Sequence, residues 1–322
     1  MAKEIILSGI QPTGKLHIGN YLGALKNFVE LQNKYECYFF IADYHSITEN
    51  YDPKEKQQQI KNLAKDFIAA GLDPKKCTIF VQSEISEHME LAWVFSCVTP
   101  IAYLERMTQY KDKASRQKEN INVGLFSYPV LQAADILMYK ANVVPVGQDQ
   151  DQHVELTRQI AKFFNNRFGK IFPEPKTLHT QTPKIMSLLA PDKKMSKSLG
   201  DGHCIYIDDQ PEIIAKKLSK AVTDTGDGNG LGAQNLLDLL KIFSSKEVCD
   251  KFFTDQQSGN LRYSDLKDQL STDVASYFNE FRKTKEKISD KQIEKILSKG
   301  ATKAKKVATQ TIKEVRVKIG LR

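Results

Sequence analysis

The sequence predicts an α/β protein whose first part is built on a parallel sheet and whose last part is made of helices. In residues 1–190, short apolar runs rich in β-branched and aromatic residues alternate with longer stretches of helical spacing. This alternation predicts a parallel sheet with helices on both faces. From residue 211 onward the helical patterns continue and strand patterns are nearly absent. The predicted fold class is therefore a doubly wound, Rossmann-like sheet with a C-terminal α-helical domain.

Four strands are predicted in the first part, each by a short apolar run. They cover residues 5–7, 38–42, 78–82 and 142–146. Helical spacing predicts helices over residues 22–34 and 54–70 between them. Ligands of doubly wound sheets bind beyond the carboxyl ends of the strands. Segments 12–20 and 147–149, which directly follow strands, are therefore candidates for a functional site.

The C-terminal part has the spacing of amphipathic helices. They are predicted over residues 211–221, 233–244, 245–254, 263–298 with a break, and 301–319. A loop rich in glycine and aspartate separates the first two. We expect two domains, with the boundary between residues 187 and 188.

The composition is that of an ordinary globular protein. The 322 residues are 41% hydrophobic and 27% charged. The apolar run near Met1 is too short for a signal peptide, and no run reaches the roughly 20 residues that span a bilayer. Five scattered cysteines show no C-x-x-C spacing, so no zinc site or disulfide framework is expected. We expect a cytoplasmic protein that does not bind a membrane.

The net charge of +8 is concentrated at the C-terminus. Residues 282–322 carry 14 Lys and Arg against 4 Asp and Glu, a balance of +10, so the preceding residues sum to −2. A basic segment on a nearly neutral body suggests a partner that carries phosphates. The alternative is a lysine-rich helix face that only solubilises the protein.

The first motif follows the first predicted strand and reads Pro12-Thr13-Gly14-Lys15-Leu16-His17-Ile18-Gly19-Asn20. It opens a predicted helix, where free backbone N–H groups favour an anion. His17 can donate to a phosphate oxygen as charge develops on it. The alternative is that His17 only caps the turn.

The second motif is Lys194-Met195-Ser196-Lys197-Ser198, and a glycine-rich turn follows it. Its lysines are compact cations suited to phosphate oxygens. They would stabilise a pyrophosphate leaving group in the transition state. If the first motif were absent, the lysine-rich segment would be interpreted as a solvated loop.

Tyr128, Gln132 and Asp135 share one face of a predicted helix, which we expect Pro129 to open. A carboxylate among apolar residues needs a donor partner. The indole N–H of tryptophan is a donor only, and such a carboxylate is the acceptor it requires. The alternative is that Asp135 pairs with a lysine or arginine elsewhere.

A fourth segment begins with the predicted strand at residues 142–146 and continues as Gly147-Gln148-Asp149-Gln150. Gly147 would allow close approach of a ribose, and Asp149 could accept its hydroxyls. His153 could cap the following helix or touch a ligand.

The two motifs resemble the HIGH and KMSKS signatures of the class I aminoacyl-tRNA synthetases. Asn20 stands where this family often has His, and that variant is typical of its tryptophanyl branch. Residues 147–153 are similar to a Gly-Glu-Asp-Gln-x-x-His stretch of the same branch, with Gln148 in place of Glu. The resemblance covers nearly the whole chain.

The resemblance implies a role for each site residue. The implied catalytic residues are His17, Asn20, Lys194 and Lys197. The implied ATP-binding residues are Gln11, Pro12, Thr13, Gly19, Asn20, Gly147, Gln148, Asp149, Ile185, Lys194, Met195, Ser196, Lys197 and Ser198. The implied amino-acid-binding residues are His45, Gln109, Tyr128, Gln132 and Asp135.

It also implies a reaction in two steps. Tryptophan's carboxylate attacks the α-phosphorus of ATP, with Mg²⁺ bound through the phosphates, and the aminoacyl group then passes to tRNA(Trp). Residues 1–187 would be the ATP- and amino-acid-binding catalytic domain. Residues 188–322 would carry the KMSKS loop and recognise the anticodon. A homodimer is implied, and no binding to DNA is expected.

Two rival interpretations stay open. In the first, the protein acts on tyrosine, because Tyr128, Gln132 and Asp135 also have the spacing of a tyrosine pocket, and many bacterial tryptophanyl enzymes have Met where this chain has Gln132. A phenol both donates and accepts, so Gln132 with Asp135 could bind it. In the second, the protein is a nucleotidyltransferase acting on a small molecule or a non-catalytic RNA-binding paralogue.

Overall fold

The structure is a computed structural model that describes residues 3–108, 121–147, 150–179, 183–224 and 230–322. The chain divides into two compact units. The first unit comprises Met1–Gly14, Lys26–Gln181 and Ile288–Arg322, and the second comprises Lys15–Leu25 and Thr182–Lys287. The units are discontinuous in sequence, whereas the predicted domains are contiguous. The functional division at residues 187/188 stays a prediction.

A parallel sheet forms the centre of the first unit. Its strands are β1 (Ile5–Ile10), β2 (Glu36–Ile41), β3 (Cys77–Val81), β4 (Val143–Val146) and β5 (Lys176–His179). Among the described residues, the order across the sheet is β3-β2-β1-β4-β5, and every neighbouring pair is parallel. The chain builds outward from β1 to β3 and then returns to place β4 on the other side of β1. This confirms the predicted doubly wound fold.

The observed strands differ from the predicted ones in their bounds, and there are five described strands instead of four. All four predicted strands are present, but no pattern in the sequence indicated β5. Its residues, Lys176-Thr177-Leu178-His179, include one apolar side chain, and both end residues are exposed. An edge strand with so little buried surface lacks the apolar run by which strands are recognised.

The helices of the described residues are named in chain order. They are α1 (Ile18–Asn20), α2 (Lys26–Leu31), α3 (Asp43–Ser46), α4 (Pro53–Ala69), α5 (Glu87–Ser96), α6 (Ile101–Glu105), α7 (Val123–Met138), α8 (Asp151–Phe168), α9 (Pro211–Ser219), α10 (Leu231–Phe243), α11 (Lys246–Gln257), α12 (Tyr263–Tyr277), α13 (Asn279–Lys287) and α14 (Asp290–Ile319). Tyr21–Leu25 forms a π-helical turn. None of these helices is long and apolar enough to cross a membrane.

Helix α7 corrects one prediction. Pro129 does not open this helix but lies inside it. The helix begins at Val123, and the Asn122 side chain accepts a hydrogen bond of 2.8 Å from the backbone N–H of Leu125. An asparagine N-cap starts a helix by satisfying one of its free N–H groups. That signal outweighed the preference of proline for the first turn.

Helix α14 packs in the first unit rather than forming a separate tail. Ala304, Ala308, Ile312 and Val315 are buried in the apolar core of that unit. At Gly300 the helix meets β3 so closely that an added Cβ would lie 1.7 Å from the carbonyl oxygen of Ile79. Only glycine permits this approach of two backbones. This segment is therefore a packed helix of the first unit.

The second unit joins helices α9 to α13 to Lys15–Leu25, which includes residues 15–20 of the first motif. Helix α12 packs against α9 and α10. The rings of Tyr277 and Phe278, at the end of α12, meet Tyr21 edge-to-face at centroid distances of 6.2 Å and 5.1 Å. Residues 16–18 are held by two backbone hydrogen bonds of 3.0 Å to Ile205 and Ile207. The His17 turn therefore belongs to this unit.

Candidate functional site

A cavity of about 270 Å³ opens in the first unit at the carboxyl ends of β1 and β4. These two strands flank the point where the strand order reverses, which is the usual ligand position in this architecture. Part of the wall is apolar, from Leu7, Phe40, Ile136, Val144 and Val146. An apolar pocket with a few convergent polar groups is typical of a small-molecule site.

The polar wall contains four of the five predicted amino-acid-binding residues. His45, Tyr128, Gln132 and Asp135 all line the cavity, together with Ser8, Gln11 and Gln150. Burial raises the pKa of Tyr128 to about 12, so its phenol stays protonated. Its oxygen lies 2.8 Å from Nε2 of His153. His153 is itself buried, and this contact helps to position the Tyr128 side chain.

The Asp135 carboxylate is only 1% exposed, and three side chains surround it. Nε2 of His45 lies 2.7 Å from Oδ2, and Nδ1 of His88 lies 2.5 Å from Oδ1. Nε2 of Gln82 lies 2.8 Å from Oδ1 and 3.0 Å from Oδ2. Two histidines and an amide therefore take the place of the lysine or arginine that could have paired with Asp135.

These partners keep Asp135 ionised. Burial by itself raises the pKa of the carboxyl group, because the charged form loses its hydration. Hydrogen bonds and charge interactions from His45 and His88 act in the opposite direction, and the pKa lies below its ordinary value. Asp135 therefore presents an anionic acceptor to the cavity.

Sequence reasoning missed Gln82, His88 and Tyr139. Gln82 directly follows β3, so a search of every strand end would have found it. His88 lies in α5, and its Nε2 is 2.8 Å from the hydroxyl of Tyr139 at the end of α7. These contacts join residues about 50 positions apart, and no local pattern in the sequence reports them.

His17 forms the turn of the first motif in the second unit. It caps α1, since its Nδ1 accepts a hydrogen bond of 3.1 Å from the backbone N–H of Gly19. Asn20 completes the cap by accepting one of 3.2 Å from the backbone N–H of His17. A Cβ on Gly19 would lie 2.9 Å from the His17 ring, so this position favours glycine. His17 therefore caps the turn through Nδ1, and this cap leaves its Nε2–H as a donor.

The imidazole of His17 is neutral at physiological pH. Burial lowers its pKa to about 4, and the positive charges of Lys197 and Lys194 contribute to this lowering. His17 and the two lysines, all in the second unit, are therefore close enough to interact electrostatically. The ring can donate through Nε2–H but does not carry a charge.

The lysine motif lies on a loop with a fixed base. The backbone N–H of Met195 donates to the carbonyl of Ile185 at 2.9 Å, and that of Ser187 donates to Lys193 at 2.8 Å. Met195 is buried, so it anchors the loop, whereas Lys194 is exposed. Ile185 also packs 3.7 Å from the position of a Cβ on Gly19. The hydroxyls of Ser196 and Ser198 are 2.9 Å apart.

The remaining predicted site residues are divided among several places. Gln11, Pro12 and Thr13 follow β1 in the first unit, and the carbonyl of Pro12 accepts a hydrogen bond of 3.3 Å from Lys56. Gly147 follows β4, and its carbonyl accepts a 3.0 Å hydrogen bond from Gln150. Three predicted residues, Gln109, Gln148 and Asp149, lie outside the described residues. Within the described ranges, no group of His, Cys, Asp and Glu could hold a metal ion.

Comparison with known proteins identifies the class. Residues 2–247 match the family model of the class I tRNA synthetases for W and Y. The chain is 45% identical over 325 residues to the tryptophan–tRNA ligase of Caldanaerobacter subterraneus subsp. tengcongensis, covering 98% of each. The chain therefore belongs to the class I tRNA synthetases of the tryptophan and tyrosine family.

Solved structures give the same fold. A crystal structure of the Campylobacter jejuni tryptophanyl-tRNA synthetase, complexed with ADP and tryptophan, superposes with a TM-score of 0.88 at 36% identity. The match covers 98% of this chain and 100% of the Campylobacter chain. The tyrosyl-tRNA synthetase of Archaeoglobus fulgidus with L-tyrosine has a TM-score of 0.69 at 24% identity, over 88% and 90% of the two chains. At this identity, the similarity to the Archaeoglobus enzyme shows only that the two chains share a fold.

The low pKa of His17 predicts how its ring titrates. In NMR spectra of the six histidines, we expect His17 to titrate near pH 4. Lys197→Ala should move its midpoint upward, because removing a nearby positive charge favours the imidazolium ion. Lys193→Ala is the matched control and should leave the midpoint in place. A wild-type midpoint near the ordinary value of 6.5 would contradict the buried position of His17.

Proposed function

We propose that this chain activates tryptophan with ATP and then transfers it to tRNA(Trp). In the first step the carboxylate of tryptophan attacks the α-phosphorus of ATP, which releases pyrophosphate and leaves tryptophanyl-adenylate. In the second step a hydroxyl of the 3′-terminal ribose of the tRNA attacks the acyl carbon and AMP leaves. Relatives with nearly full-length matches carry this activity in their names.

The observation that carries this proposal is the ionised Asp135 in the wall of an apolar cavity. A carboxylate offers about four lone-pair sites, and His45, His88 and Gln82 occupy about three of them. The remaining acceptor suits the N–H of an indole ring. A ligand without that donor would exclude water from this last acceptor site and leave it unpaired, which disfavours its binding.

The second unit supplies the groups suited to the triphosphate. Nε2–H of His17 and the ammonium groups of Lys194 and Lys197 are assigned to phosphate oxygens, and Asn20 holds the His17 turn. Their effect would be largest in the transition state, where charge grows on the leaving group. Mg²⁺ would enter with ATP, held by the phosphates.

The remaining contacts with ATP are assigned by strand position and by resemblance. Gln11, Pro12 and Thr13 follow the carboxyl end of β1, and Gly147 follows that of β4. These are the strand ends at which nucleotides bind in doubly wound folds. Gly19, Ile185, Met195, Ser196 and Ser198 belong to the His17 turn and the lysine loop.

The nearest rival is activation of tyrosine, and Gln132 is the reason to consider it. Its amide lines the same cavity as Asp135 and could pair with a phenol oxygen. Two relatives that match over nearly their full length, at 45% and 40% identity, are named tryptophan–tRNA ligases, which favours tryptophan.

Amino-acid-dependent exchange of pyrophosphate into ATP, measured with all twenty amino acids, tests the function. We expect tryptophan to support exchange and tyrosine to support little. Asp135→Asn should raise the KM for tryptophan roughly tenfold or more, because a bond to a charged acceptor is removed, and leave the KM for ATP unchanged. Gln132→Met is the matched pocket variant and should be tolerated. Exchange that prefers tyrosine and fails in Gln132→Met would establish the rival.

The assignment of Lys197 to the leaving group can be measured separately. Lys197→Ala should lower the single-turnover rate of adenylate formation by roughly 100-fold, which is typical of losing one transition-state donor. The dissociation constant for tryptophan should not change, because this lysine acts on the phosphates. Lys193→Ala serves as the neighbouring control. An unchanged rate together with weaker tryptophan binding would refute the assignment.

The exposed face of α14 is proposed as a contact surface for tRNA. Lys291, Lys295, Lys299 and Lys303 recur every fourth residue and are all exposed, so they form a stripe along one side of the helix. Lys305 and Lys306 extend the exposed charge. A row of cations on an anchored helix suits a phosphate backbone.

Reversing three charges tests this surface. Lys303→Glu, Lys305→Glu and Lys306→Glu together should weaken tRNA affinity. The slope of log affinity against log salt should fall by about 0.7–0.9 for each phosphate that the protein no longer neutralises. Thermal stability should change little, since these side chains are exposed. Gly300→Ala is the contrasting variant and should lower the free energy of unfolding by about 1–3 kcal/mol through overpacking. An unchanged salt slope would exclude the lysines from the interface.

A homodimer is proposed from the apolar surface of the first unit. Met89 and Trp93 on α5 are 46% and 72% exposed, and Ile101 and Val123 at the neighbouring α6 and α7 are 64% and 80% exposed. Both α5 and α6 pack on α7, so these side chains come from adjoining helices. Exposed apolar side chains on adjoining helices are candidates for an interface.

Sedimentation of a Trp93→Lys variant tests the dimer. We expect the wild type to sediment as a dimer and Trp93→Lys to shift it toward the monomer, because a charge is costly in an apolar interface. Leu231→Lys, at a similarly exposed apolar residue in the second unit, should leave the dimer intact. A monomeric wild type at micromolar concentration would contradict the proposal.

A further inference from the structure

A chain of buried polar groups continues behind Asp135, away from the cavity. His88 is completely buried and Tyr139 is 1% exposed, and within the described residues neither lines the cavity. His88 uses both ring nitrogens, with Nδ1 at 2.5 Å from Asp135 and Nε2 at 2.8 Å from the hydroxyl of Tyr139. The catalytic steps proposed above make no use of His88 or Tyr139. Both ring nitrogens of His88 and the hydroxyl of Tyr139 nevertheless have hydrogen-bond partners.

The donor directions along this chain follow from its chemistry. Burial raises the pKa of Tyr139 well above its ordinary value, so its hydroxyl keeps its proton. An ionised Asp135 can only accept, which places a proton on Nδ1 of His88. Nε2 of a neutral imidazole is then an acceptor for the hydroxyl of Tyr139. This arrangement pairs all three groups, with Nδ1 of His88 as the donor to Asp135.

Aromatic rings surround His88 and hold its imidazole in place. Phe40, Phe80 and Tyr139 stand around His88, with ring centroids 6.3 Å, 6.2 Å and 5.5 Å from its own. The contact with Tyr139 holds Nε2 of His88, and it thereby keeps Nδ1 directed at the carboxylate of Asp135.

These contacts fix the orientation of the Asp135 carboxylate. Oδ1 receives His88 and Gln82, while Oδ2 receives His45 and a longer contact from Gln82. With both oxygens held, the carboxylate cannot rotate about its Cβ–Cγ bond without breaking bonds. Its remaining lone pair therefore has a fixed direction. A carboxyl group free to rotate, or to take up a proton, would lose this preference for a donor ligand.

We propose that His88 is a positioning residue for recognition of the amino acid, and that it acts with Tyr139 by fixing the ionised Asp135 so that one acceptor faces a ring N–H in the cavity. This inference rests on the proposed function and deepens it. Neither residue lines the cavity, so we expect both to affect only how well the site distinguishes ligands with a ring N–H from ligands without one.

Calorimetric binding of two ligands separates this role from a merely structural one. The ligands are tryptophan and its benzothiophene isostere, in which sulfur replaces the ring N–H at nearly the same size. For the wild type, we expect tryptophan to bind more tightly. In Tyr139→Phe and His88→Leu, the preference for tryptophan should fall by about tenfold or more, with the isostere bound as before. The KM for ATP should not move.

His88→Asn provides the rescue, because its amide N–H can replace Nδ1–H as a donor to Asp135. It should restore most of the preference that His88→Leu loses. Tyr139→Phe removes only a hydroxyl, and we expect its melting temperature to stay close to that of the wild type. Equal weakening of both ligands in the variants, or an unchanged ratio, overturns the positioning role. A wild type that binds neither tryptophan nor its isostere overturns the proposed function and, with it, this inference.

Discussion

One ionised carboxylate inside the first unit constrains the elements around it. Asp135 lies on α7, and its donors come from α3, from the residue after β3, and from α5. A buried charge that loses a partner destabilises a protein by about 3–5 kcal/mol, because it cannot be hydrated. These four segments must therefore reach one pair of oxygen atoms at the same time. The cavity has a defined shape because the elements that form its wall are tied to Asp135.

The sheet provides room for a ligand beside this carboxylate. β4 returns to the opposite side of β1 from β2, and the helices that follow the two halves leave the carboxyl ends open between them. Gly9 on β1 also keeps this region open, because it has no side chain. A Cβ there would lie 2.6 Å from the ring of Phe40, so a side chain at residue 9 would displace part of the cavity wall. Topology places the cavity, and the contact of Gly9 with Phe40 maintains it.

The sequence could predict those parts of the fold and site that depend on local patterns. Asp135 was found because its spacing from Tyr128 and Gln132 places all three on one helix face. His88 and Tyr139 could not be found, since their contacts depend on how distant helices pack. Strand β5 lacks an apolar run, and the start of α7 depends on Asn122 rather than on the more prominent Pro129. The predicted roles of the site residues stay predictions, because geometry alone does not measure them.

Burial disfavours the charged form of both Asp135 and His17, but the two groups end in different charge states. At Asp135, burial raises the pKa, but the histidine partners outweigh it and the group stays charged. At His17, burial and the nearby lysines act in the same direction, and the ring stays neutral. A neutral ring is what the α1 cap requires, because an imidazolium ion would have no lone pair on Nδ1 to accept the N–H of Gly19. Phosphate groups among those lysines would offset their charge and raise the pKa of His17, yet protonation of Nδ1 would still break the cap. His17 is therefore suited to donate through Nε2–H without changing its charge, and the positive charge at this site comes from the lysines.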